Sequence, residues 1–386
     1  MLKLNTNIFL AMPEPTIHDL LRKTFSTSGK DEWVKAASTE RPDKTAVENL
    51  LWNFDGLSFS PYYTKEDLKE TEYLDRFHLT SFESPYPAWF NIPEIKVTNA
   101  GDDNQLALDY LLRGADGIIF DLSESKDISI DALLKNIDWN HCYISFKNCD
   151  TEVATKIFAY TEQKKYTVAR LLGCIWWRQS PPVESFAQAF KNHLSEFQKY
   201  HLFGIEAPPQ SPISEISTSL QRGVRLIEAL TDLGLNRETV FRSVSFSFTS
   251  GGNFLVNIAK LKAVRILWYQ ISRAFEITEY MPSDLHIHCR TNENVDEKYE
   301  PHGNMIQNTV QALSAIAGGC NAITIKSGKQ LGSMIDRVAL NVSNVLKEES
   351  HFGKVANPLA GSYAIDKMVH DLSRAVWKDF QKNLQS

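Results

Sequence analysis

Apolar and small polar residues alternate with period two along Phe241-Arg-Ser-Val-Ser-Phe-Ser-Phe248. That is the pattern of a strand with one buried face. Thr249-Ser-Gly-Gly252 interrupts it, and Asn253 to Phe275 then carries apolar residues at helical spacing with lysine and arginine between. After a loop with Pro282, a short run, Leu285-His-Ile-His-Cys289, ends in Arg290-Thr-Asn292. Strand, glycine turn, long helix and strand make a βαβ unit, whose two strands normally run parallel.

The alternation continues through most of the chain. Strand-like apolar runs fall at Trp89–Val97, Gly117–Leu122, Cys142–Phe146, Leu171–Trp176, His201–Ile205, Phe241–Phe248, Leu285–Cys289 and Ala322–Ile325. Helical patterns lie between and after them, at Asp103–Arg113, Ile130–Asn136, Thr151–Thr161, Val183–Lys199, Pro212–Leu233, Phe254–Phe275, Asn304–Ala317 and Gln330–Glu348. Strict alternation predicts an α/β fold with a parallel sheet, and eight units favour a closed (β/α)8 TIM barrel over a doubly wound sheet. The first strand is not followed by G-x-G-x-x-G, which argues the same way. A turn at Asn357–Tyr363 and a final amphipathic helix, Lys367–Leu384, complete the pattern. The predicted division is an N-terminal helical and irregular arm over residues 1–84 and the barrel with its C-terminal helix over 85–386. In the arm, Ile17–Phe25 and Asp31–Ala37 read as short helices, and Thr64-Lys-Glu-Asp67 resembles a capping box with Asp in the Glu position. Trp52, Phe54, Phe59, Tyr62 and Tyr63 have no periodic element of their own to pack on. The segment is therefore either an arm laid over the barrel or a partner, or an ordinary extension folded on its own barrel.

Composition acts mainly by exclusion. The net charge is −6 with no basic block, which leaves no electrostatic footprint for nucleic acid. No apolar run reaches the roughly 18 residues that span a bilayer, and Met1–Leu10 has neither the charge nor the apolar run of a signal peptide. The five cysteines are scattered, without a C-x-x-C pair. They read as reduced thiols of a cytoplasmic protein.

In a barrel the site is built at the carboxyl ends of the strands. His286 and His288 share one face of their strand, as a metal pair would, and Glu206 is the obvious third ligand. Two histidines spaced this way are more often hydrogen-bonded barrel fillers, and no metal is expected. Asp121 and Lys147 read as an ion pair in preference to an acid/base pair. Gly251-Gly252 serves either to cradle a phosphate on a helix N-terminus or as a tight strand-to-helix turn. G-x-S-x-G, Walker and H-E-x-x-H motifs are absent from the sequence. Patterning alone thus reaches a barrel with a small-molecule site and no reaction.

Longer motifs reach further. Asn253-Phe254, Ile258-Ala-Lys-Leu-Lys-Ala263 and Arg265-Ile-Leu-Trp268 resemble the "NFF-EIAKLRAAR-LW" segment of the methylmalonyl-CoA mutase family. His288-Cys-Arg-Thr291, Asn304 to Ala312 with Ala317-Gly-Gly319, Ile335 to Val342, and Asn357-Pro-Leu-Ala-Gly-Ser-Tyr363 resemble further motifs in that family's order. The resemblance covers roughly 85 to 380 and implies a (β/α)8 substrate barrel. It also implies adenosylcobalamin chemistry that interconverts methylmalonyl-CoA and succinyl-CoA.

The departures change that expectation. The family's arginine-rich "YPTMYTGRPWTIRQYAG" tract is replaced by Ser84 to Ile95, with no arginine, and its "SGYHI-EAG" by Phe203-Gly-Ile-Glu-Ala-Pro-Pro209. Tyr200-His201 falls at the start of its strand, so the family's catalytic Tyr-His pair is not carried over to it. His286 stands where an arginine is expected and Arg290 where a glutamine is. Asp284-Leu-His286-Ile-His-Cys289 is not the family's D-x-H-x-x-G, because Cys289 replaces the glycine and the stretch lies in the barrel. The resemblance therefore points to the small, non-catalytic subunit of a heterodimeric mutase. In small subunits of that family a degenerate cobalamin-type domain usually follows the barrel. This chain departs from them in that it is expected to lack a cobalamin-binding domain, and it is expected to have no catalytic residues and to bind no cofactor itself, with adenosylcobalamin on the catalytic partner subunit. Glu206, His286, His288 and Arg290 remain the candidates for a substrate pocket. The alternatives are an active acyl-CoA mutase barrel working with a separate cobalamin-binding chain, or an acyl-CoA binding module.

Overall fold

The structure, a computed structural model, describes residues 29–40, 50–75, 77, 89–125, 128–178, 183–191, 193–292, 301–326, 333–355 and 357–384. The chain divides into two compact units, Met1–Asp67 and Leu68–Ser386. The helix expected over Ile17–Phe25 and the arm boundary expected at 84 lie outside the described residues.

In the first unit, helix α1 covers Lys30–Glu40, and strands β1 (Trp52–Phe54) and β2 (Leu57–Phe59) form an antiparallel hairpin. Its turn is Asp55-Gly56, both with positive φ (50° and 77°), the geometry that matches the twist of paired strands. The aromatic residues do have elements to pack on. Trp52 lies 5.3 Å from Phe59 across the hairpin, and Trp33 of α1 stacks on Tyr62 at 5.2 Å. Asp67 Oδ2 accepts from the Thr64 backbone N–H at 2.8 Å, closing half of the capping box. Asp67 Oδ1 meets Lys30 Nζ at 2.6 Å.

The second unit alternates as the pattern predicts. Its elements are β3 (Phe90–Asn91), β4 (Glu94–Lys96), α2 (Ala100–Leu112), β5 (Gly117–Asp121), α3 (Ile130–Leu133), β6 (Tyr143–Cys149) and α4 (Thr151–Gln163). They continue with β7 (Gly173–Trp177), α5 (Val183–Phe190), β8 (Tyr200–Glu206), α6 (Pro212–Asp232), α7 (Arg237–Arg242), β9 (Val244–Ser250) and α8 (Phe254–Ala274). Last come β10 (His286–Thr291), α9 (Pro301–Ala317), β11 (Ala322–Thr324), α10 (Ser333–Glu348) and α11 (Tyr363–Leu384). One sheet runs β3-β11-β10-β9-β8-β7-β6-β5-β4, and every pairing in it is parallel. Its two end strands are halves of one segment, interrupted at Ile92-Pro93 because proline has no N–H for a ladder. The Ile92 N–H still reaches Ile323 O at 2.9 Å, and Pro93 O accepts from the Ile119 N–H at 2.9 Å. The segment therefore pairs with the last strand on one side and the second on the other. The sheet curls round on itself as a TIM-type (β/α)8 barrel.

Several boundaries differ from expectation by a few residues, and three of them bear on the packing. The sixth strand starts at Val244, because Asn236 caps α7 by accepting from the Thr239 N–H at 2.9 Å. Phe241 is thereby helical and stacks on Trp268 at 4.6 Å. Helix α3 is a single turn, and Asn136 follows it in the left-handed region with φ 60°. Helix α5 ends at Phe190 rather than Lys199.

Helix α8 is held on both sides. Helices α11 and α6 pack on it, and its Lys260 forms a buried pair with Glu215 of α6 at 2.9 Å. The same ammonium donates to Thr249 O at 2.7 Å. That second acceptor matters, since a buried ion pair repays its desolvation only when the remaining donors are also satisfied.

Candidate functional site

The interior of the barrel is filled along its axis. Ile92, Ile119, Tyr143, Cys174, Trp176 and Ala322, drawn from the first segment, β5, β6, β7 and β11, form one buried cluster, with Phe90 and Leu172 packed against it. Trp176 can lie across the centre because its neighbour on β8 is Gly204, where a Cβ would come within 2.5 Å of the indole.

His286 and His288 point into this interior. His286 Nδ1 lies 2.7 Å from Ser245 Oγ and its Nε2 lies 3.0 Å from Tyr143 Oη, across the barrel. His288 Nδ1 lies 2.8 Å from Ser247 Oγ and its Nε2 lies 2.9 Å from Thr324 Oγ1. His201 stacks on His286 at 4.6 Å, and Trp176 sits 5.2 Å from His288. All four nitrogens of His286 and His288 thus face hydroxyls, and burial pushes both imidazoles toward the neutral form. For His288, burial and then Arg290 bring the pKa down to about 3. For His201, burial brings it to about 4. Among the described residues no three His, Cys, Asp or Glu side chains are grouped as a metal site.

Above the aromatic layer, at the carboxyl ends of the strands, five charges interlock. Arg290 Nη1 donates to Glu206 Oε1 at 2.8 Å, and its Nε donates to Thr249 Oγ1 at 3.1 Å. Lys147 lies 3.4 Å from Glu206 and 3.6 Å from Glu94, while Lys326 reaches Glu94 at 2.7 Å. Burial alone would raise the Glu94 carboxyl, but Lys326 and Lys147 outweigh it and hold it at about 2. Glu206 and Arg290 are therefore brought together, as neighbours at the rim, with His288 a layer below and His286 deeper still.

The Asp121 and Lys147 pairing needs correcting. Asp121 Oδ1 accepts instead from Asn148 Nδ2 at 2.6 Å and from the Ser123 N–H at 3.0 Å. Asn148 has φ 57°, and the register between β6 and β7 shifts there. This bulge gives the residues on either side separate partners. At Gly251-Gly252, Asn257 Oδ1 accepts from the Gly251 N–H at 3.1 Å and its Nδ2 donates to Gly251 O at 2.8 Å. That is a braced strand-to-helix turn. Glu94 and Tyr143 were not singled out from sequence. The one signal for Glu94 was a lone carboxylate beside Pro93 in an otherwise apolar run.

The arrangement has a measurable consequence. Replacing Trp176 by alanine should cost about 3–5 kcal/mol of stability, because the ring of rigid strands cannot collapse into the space left. Urea unfolding of the wild type and variant checks this, and a loss below about 1 kcal/mol would mean that the axis is loosely filled.

The methylmalonyl-CoA mutase family model matches residues 205–384. The methylmalonyl-CoA mutase small subunit of Porphyromonas gingivalis strain W83 is 25% identical over 92% of this chain and 63% of its own length. That of Streptomyces virginiae is 32% identical over 48% of this chain and 30% of its own. That of Propionibacterium freudenreichii subsp. shermanii is 29% identical over 44% and 27%. The chain thus spans less than two thirds of the length of each of these relatives. Among the described residues no helix is long and apolar enough to cross a membrane. In its barrel, its motifs and a match to one of them over 92% of its own length, the chain is a relative of the methylmalonyl-CoA mutase family and resembles that family's small subunits.

Proposed function

We propose that this chain is a small-subunit-type component of an adenosylcobalamin-dependent methylmalonyl-CoA mutase, itself without catalytic activity, that supports a catalytic partner subunit in a cytoplasmic heterodimer. The observation that carries this reading is the plugged axis. Tyr143, Trp176, His286 and His288 are each at most 8% exposed, so an acyl-CoA arm has no open path along the barrel. The rim charges support it too. Arg290, which would have to grip an acyl carboxylate, is engaged by Glu206 and Thr249.

Among the described residues, the histidine nearest to the family's cobalamin motif does not fit cobalamin. His286 sits nearest to the family's D-x-H-x-x-G spacing, yet both its nitrogens face hydroxyls inside the core, and it cannot reach a cobalt ion. The radical chemistry belongs to the cofactor, and on this reading the cofactor is held by the partner.

The test is co-purification with the catalytic mutase subunit of the same organism, followed by mutase assay with and without this chain. A stable complex is expected, and its activity should change by less than two-fold when Arg290→Ala or Glu206→Gln is introduced here. Absence of a complex, together with acyl-CoA binding that Arg290→Ala abolishes, would overturn the reading in favour of a pocket with its own function.

A further inference from the structure

We draw no further inference here: the strongest candidate, the cavity of about 550 Å3 at the amino end of the barrel, has Arg242 engaged by Glu238 and Asp284, Lys262 by Asn357 and Arg265 by four main- and side-chain acceptors, so nothing in the structure shows what would occupy it.

Discussion

Lowering the pH from 7 to 4.5 is expected to unfold this protein, and the loss of stability should steepen below about pH 6.5. The sign follows from the buried imidazoles. An unfolded histidine takes up its proton near pH 6.5. In the fold, burial holds His201 near 4 and His288 near 3, and keeps His286 well below its ordinary value. Above pH 6.5 each is neutral in both states and nothing is lost. Between the unfolded and folded values the unfolded chain binds protons that the folded chain refuses, so stability falls with falling pH. Each such proton contributes about 1.4 kcal/mol per pH unit, and His286 and His288 together give about 3. Glu94, held near 2, adds a further loss only below its unfolded value of about 4.5. Since a domain is typically stable by about 5–15 kcal/mol, the histidines alone can exhaust that within two to three pH units. Urea unfolding at half-unit steps from pH 7.5 to 4.5 measures the slope. A flat curve between pH 6.5 and 5 would show that the rings titrate freely. The double variant His286→Gln, His288→Gln should remove most of the slope even if it starts from lower stability.

Replacing Arg265 by methionine should cost about 4–6 kcal/mol, among the largest losses a single substitution can cause. Its guanidinium Nη1 donates to Pro282 O at 3.0 Å and Leu285 O at 2.6 Å. Its Nη2 donates to Gly319 O at 2.6 Å and Asn321 Oδ1 at 2.7 Å. These four acceptors lie on the segments that lead into β10 and β11, and Asn321 in turn accepts from the Ile287 N–H at 2.9 Å. One side chain therefore aligns the entry of two neighbouring strands. Hydrogen bonds from a charged donor contribute about 1.5–3 kcal/mol each, and buried acceptors left without a donor add their desolvation cost. Lysine should rescue little, because a single ammonium cannot reproduce the planar fork that reaches four acceptors. Thermal and urea unfolding of Arg265→Met and Arg265→Lys provide the check. A loss under about 1 kcal/mol in either would mean that water replaces the guanidinium.

Much of this architecture was legible along the chain. The period-two run in β9 and the helical spacing of α8 follow from which faces must be buried, and burial is a property each residue carries locally. Strict alternation then leaves few topologies, because parallel strands need crossovers of helix length. The places where local reading failed share a cause. Phe241 has strand-like neighbours, but a cap at Asn236 and a face on Trp268 decide its conformation. Lys147 was paired with Asp121 from position along the strands, and a bulge at Asn148 sends it to Glu94 and Glu206 instead.

Taken alone, the sequence determined the fold class, the order of elements and the kinship with mutase barrels, because hydrophobic period and long motifs are encoded contiguously. Only the tertiary structure decided that the axis is plugged, that Glu206 and Arg290 neutralise each other, and that His286 and His288 face hydroxyls. Those pairings join residues 36 to 143 positions apart. Closing the sheet into a ring makes them neighbours, and no local spacing along the chain encodes that closure.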